Sequence, residues 1–73
     1  MSSSLDRLVM MANQIGKFFD PQRDGDPVAA IADHLQKFWD PRMRAAIIAH
    51  AKQGGAGLDG HVREAVGRLK VGA

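Results

Sequence analysis

The chain contains no cysteine and no tyrosine, and only one tryptophan, three phenylalanines and three prolines among its 73 residues. Without cysteine there is no disulfide framework, thiolate nucleophile, zinc knuckle or thiolate-held iron–sulfur cluster. Any redox centre has to sit in another chain. No apolar run approaches the roughly 20 residues that span a bilayer, and the opening MSSSLDRLVMM has no basic stretch ahead of a long apolar core. The expectation is a soluble chain in the cytoplasm, with no membrane partner. No stretch alternates apolar and polar residues as a half-buried strand does. At this length one small domain is expected over residues 1–73. A globule of that size buries only about 60% of the surface its unfolded chain exposes, which leaves little net stability and favours a life in partnership over a deep active site.

The formal charge of +2 is unevenly placed. Residues 1–36 carry three basic and five acidic groups, whereas residues 37–73 carry seven basic and three acidic groups. A nucleic-acid module shows a denser Lys/Arg cluster or stacking aromatics, and this chain has neither, with no aromatic after Trp39.

Four segments read as helices, giving an all-α domain of three to four short helices. The first follows Ser3 and Ser4, has Asp6 near its positive end, and runs from about Leu5 to Phe19 with Leu5, Leu8, Val9, Ala12, Ile15 and Phe19 on one stripe. Asp20 and Pro21 stop it. After the polar QRDGD stretch, Asp26 and Pro27 form a cap and first-turn proline, opening a second helix to about Trp39 with Val28, Ile31, Ala32, Leu35, Phe38 and Trp39 inward. Asp40 and Pro41 repeat the device for a third helix, about 41–52, which Gly54, Gly55 and Gly57 terminate. A fourth, about 59–70, opens at Asp59 and carries Val62, Ala65, Val66 and Leu69, with Gly60 and Gly67 weakening it. Ala12 to Gln22, ANQIGKFFDPQ, and Ala32 to Arg42, ADHLQKFWDPR, form an internal repeat at a spacing of twenty. Such a repeat also arises when two helices need the same stop and the same apolar plug.

Catalysis needs a nucleophile beside a base, or titratable groups that a pocket drives apart in pKa. His34, His50 and His61 have no HxxxH or HExxH spacing, so a metal site is not expected, and His50 reads as a satisfied core histidine. Asp20, Asp40 and Asp59 read as helix caps rather than acids or bases. The QGGAGLDG segment lacks a GxxxxGK[ST] or GxGxxG pattern and a preceding strand, so it reads as a flexible helix linker rather than a phosphate cradle.

Surplus apolar surface is the more informative feature. Met10, Met11 and Phe18 on the first helix and Ile48 on the third lie off the core stripes, and methionine suits irregular partner surfaces. Trp39, Asp40, Pro41, Arg42, Met43 and Arg44 form the natural anchor of an interface, since aromatic and Arg side chains carry most hot-spot energy. The alternative is that crossing helices enclose these groups and that Trp39 is a core residue followed by a cap.

The segments LVMMANQIGKFF, AIADHLQKFWDPRMR and GGAGLDGHVREAVGRL together resemble the small delta subunit of soluble, NAD-dependent, molybdenum-containing formate dehydrogenases, over about Leu5 to Leu69. The most specific part is Ile31 to Arg44. QRDGD is the least typical. The resemblance implies a non-catalytic accessory or assembly subunit that binds no cofactor itself. Its partners would be the large catalytic subunits, which hold a molybdenum pterin cofactor, iron–sulfur clusters, FMN and NAD. The expected core is Leu8, Ile15, Phe19, Ile31, Leu35, Phe38, Trp39 and Ile47. The expected partner surface is Met10, Met11, Phe18, Trp39, Asp40, Pro41, Arg42, Met43, Arg44 and Ile48. Two rivals stay open: a self-associating homo-oligomer, and a DNA-binding protein with Arg42, Arg44, Lys52, Arg63 and Arg68 on one face.

Overall fold

The computed structural model describes residues 4–19 and 26–71. They form four helices: α1 (Ser4–Phe19), α2 (Pro27–Phe38), α3 (Pro41–Lys52) and α4 (Gly60–Val66), with no strand among them. The expected stop at Asp20 and Pro21, and the linker up to Gly25, lie outside the described residues.

Local chemistry explains where the helices start. The Asp26 carboxylate accepts from the Val28 amide at 3.0 Å and the Asp40 carboxylate from the Met43 amide at 2.9 Å, each with proline in the first turn. Each aspartate thereby satisfies an orphan helix donor. Asp59 differs. It occupies the N-cap position through its backbone, but its side chain makes no capping hydrogen bond.

The helix ends depart from the sequence expectation in two places. α2 closes at Phe38 because Trp39 turns extended, at φ −85° and ψ 136°. α4 spans Gly60–Val66 rather than 59–70: the Arg68 and Leu69 amides donate to the Ala65 and Val66 carbonyls in three-residue turns, and the chain leaves the helix. Leu69 stays buried in spite of this.

All four helices contribute to one core of Ala12, Val28, Ile31, Leu35, Trp39, Ile47, Val62, Ala65, Val66 and Leu69. Leu8, Ile15 and Phe19 pack half-buried against it. Phe38 does not: it is 72% exposed, while Trp39 beside it is 4% exposed. The extended backbone at Trp39 carries the indole into the core, leaving Phe38 to stack on His34 with ring centroids 4.7 Å apart. The repeat behaves alike in both copies, since Phe18 is also exposed and Phe19 half-buried. α1 and α4 approach closely where Gly16 faces Val62, because a Cβ at Gly16 would lie 2.3 Å from Val62 Cγ2.

Candidate partner interface

Met11, Gln14, Ile15, Phe18 and His34 line a shallow groove of about 410 Å³ between α1 and α2. A row of rings borders it. Phe18 meets Phe19 edge-on at 5.1 Å, Phe19 meets His34 at 5.9 Å and His34 meets Phe38 at 4.7 Å. The exposed ends of this row, Phe18 and Phe38, are the outward aromatics of the two repeat copies. Met11 also borders a second groove of about 340 Å³ with Ser4, Arg7, Leu8, Arg42, Met43 and Ala46, between α1 and α3. The two grooves therefore form one apolar side of the molecule, with Met11 in common.

Four of the ten residues expected at a partner surface come together on this side: Met11, Phe18, Arg42 and Met43. Met10 is exposed but borders neither groove. Pro41 is exposed in the first turn of α3, and Asp40 is occupied as its cap. Ile48 faces a different groove, between α3 and α4, with Lys52, Arg63, Val66, Leu69 and Val71. Trp39 and Arg44 are corrections to the expectation, for both are inside. Of the anchor expected over residues 39–44, Asp40, Pro41 and Arg42 are exposed and Met43 is half-buried.

Arg44 is 7% exposed and holds a corner of the fold. Its Nη1 donates to the carbonyls of Gln36, at 3.1 Å, and Trp39; Nε donates to Lys70 O at 2.9 Å and Nη2 to Val71 O at 2.9 Å. The Gln36 side chain completes the corner by accepting from the Lys70 amide at 2.9 Å. No carboxylate is among these partners. The guanidinium instead meets the carbonyl end of α2, where the helix dipole is negative and the last C=O groups have no helical donor.

The glycine segment, expected as a flexible linker, is hydrogen-bonded to α3 and to α1. Gly54, Gly55 and Gly57 have φ of 111°, 63° and 85°, a region that disfavours side chains. The Gly54 and Gly55 amides close α3 by donating to Ala51 O and His50 O. His50, half-buried, donates from Nε2 to Ala56 O at 2.7 Å. Asn13 of α1 clamps the far side: its Nδ2 donates to Gly57 O at 2.8 Å and its Oδ1 accepts from the Asp59 amide at 3.0 Å. The amides of Gly54, Gly55, Leu58 and Asp59 are thus bonded within the chain and do not converge on an anion. Asn13, Gly16 and the buried role of Arg44 escape a sequence reading, because single polar or small residues inside a helix carry no periodic signal.

Among the described residues, no three His, Asp or Glu side chains gather as a metal site. The five basic residues of a DNA-binding face do not share a surface, since Arg44 is buried, Arg42 borders the α1–α3 groove, and Lys52 and Arg63 border the α3–α4 groove. None of the described helices is long and apolar enough to cross a membrane.

Comparison with known proteins agrees with the resemblance carried by the sequence. The family described as NADH-dependant formate dehydrogenase delta subunit FdsD matches residues 7–66. No curated protein and no solved structure matches the chain. The match spans α1 through α4, including the Asn13 clamp, the Arg44 corner's two helices and the glycine connector, so the chain belongs to the FdsD family of formate dehydrogenase delta subunits.

Proposed function

We propose that this chain is a non-catalytic accessory subunit of an NADH-dependent formate dehydrogenase in the cytoplasm. It docks on a large catalytic subunit and supports assembly, cofactor insertion or stability of the active enzyme. The molybdenum pterin cofactor, iron–sulfur clusters, FMN and NAD belong to the large subunits in this reading. Family membership supports the complex. The observation that carries the docking is the ring row, whose ends Phe18 and Phe38 are 67% and 72% exposed beside the Met11 groove. Large aromatic side chains left in water on a domain this small are what a partner's surface would cover.

The test is copurification of the tagged chain with the large subunits from cells that express the enzyme. Wild type is expected to bring them down, whereas Phe18→Asp with Phe38→Asp reduces their recovery at least tenfold with unchanged helical content by circular dichroism. Undiminished recovery would overturn the assignment of the face. Formate-dependent NAD reduction and molybdenum content, measured with and without the chain, then separate two roles. Lost metal indicates assembly, and retained metal with lost activity indicates action in the finished enzyme.

A further inference from the structure

The second groove differs in charge from the first. Its floor is apolar, formed by Leu8, Met11, Met43 and Ala46, and its two charged lining residues, Arg7 and Arg42, have the same sign. Both arginines are exposed, and neither forms an ion pair or hydrogen bond among the described residues. Asp40, the acid nearest Arg42 along the chain, is committed to the Met43 amide. The cationic heads therefore stand beside an apolar trough without a counter-ion among the described residues. Other cations behave differently: Lys37 pairs with Asp33 at 3.1 Å and Arg68 with Asp26 at 3.8 Å.

We infer that this groove recognises a partner segment that presents an apolar anchor between carboxylates: an acidic amphipathic stretch whose Leu, Ile, Met or Phe side chain enters between Met11 and Met43 while Asp or Glu meets Arg7 and Arg42. The inference rests on the docking reading above in taking a partner protein to cover this side. Three properties support that occupant. Methionine pairs adapt to aliphatic or aromatic anchors of different shape. Guanidinium groups bind carboxylates in a planar, two-point fashion that lysine does not reproduce. The groove is continuous with the aromatic one through Met11, so a single segment or two adjacent ones can cover both. A second copy of the chain is a poorer occupant, because a two-fold contact through the groove would set the same arginines against each other.

Two synthetic peptides test this, sharing one helical pattern of leucines, the first flanked by Glu and the second by Lys. Each is titrated into the full isotope-labelled chain and followed by amide chemical shifts. The Glu peptide is expected to shift Leu8, Met11, Met43 and Ala46 and to bind roughly tenfold more tightly than the Lys peptide, the scale of two exposed ion pairs. Arg7→Gln with Arg42→Gln is expected to remove that preference and its salt dependence while leaving the spectrum of the free chain folded. Equal binding of both peptides overturns the inference. So does no shift by the Glu peptide at millimolar concentration, or a shift confined to the Ile48 groove. Copurification keeps the two ideas apart. Loss of the large subunits in the Phe18/Phe38 variant bears on docking as such, and the Glu/Lys preference bears only on what the arginine groove selects.

Discussion

Arg42 and Arg44 sit two residues apart in α3 and belong to different kinds of structure. The Arg44 guanidinium is buried with four backbone carbonyls, whereas the Arg42 guanidinium stands in water at the rim of an apolar groove. The same chemical group thus serves as an internal cross-link in one place and as an open binding element in the other. Two helical steps turn a side chain by about 200°, so neighbours of this spacing face opposite ways. The difference teaches that a basic residue near an aromatic is no guide to an interface until its partners are known.

Replacing Arg44 with Leu is the severest way to test this contrast. The variant would leave carbonyls of Gln36, Trp39, Lys70 and Val71 without their donor, and a loss of about 3 kcal/mol is expected from chemical denaturation. A domain this small has little stability beyond that. A variant as stable as wild type would show that water replaces the guanidinium and that the corner is not internal in any energetic sense.

A smaller effect is expected at Gly16. Alanine there places a Cβ 2.3 Å from Val62 Cγ2, and Val62 is fully buried, so α1 and α4 must separate. Alanine also improves helix propensity by about 1 kcal/mol, which offsets part of the strain. A net loss of roughly 1–2 kcal/mol is expected in thermal unfolding, since overpacking of this kind exceeds the propensity gain. The smallest effect belongs to Arg42→Gln, with stability within about 0.5 kcal/mol of wild type. A large loss of stability in that variant would erase the distinction between the two arginines.

Most of the fold is legible in the sequence, for identifiable reasons. Asp-Pro pairs mark the starts of α2 and α3, and apolar positions at steps of three and four mark Ile31, Leu35, Ile47, Val62 and Val66 as core. The reading fails where helical periodicity no longer governs direction. Phe38 falls on the stripe but lies at the last position of α2, where the extended Trp39 takes over the core. Leu69 belongs to the core without being helical, because the Arg44 and Gln36 bonds to Lys70 and Val71 hold the tail that follows it. The surface is legible in part. Met11, Phe18, Arg42 and Met43 share a side because α1 lies against both α2 and α3, a tertiary fact that no single helix encodes.

The Asn13 clamp has a consequence for how the chain assembles. It joins positions 44 and 46 residues apart, and it holds the connector from which α4 starts. A helix of seven residues does not persist by itself in water, because the entropy of nucleating it is not recovered over so few turns. α4 therefore depends on its packing against the other three helices to persist as a helix. Breaking the clamp should therefore raise hydrogen exchange at the α4 amides before it does so at those of α2.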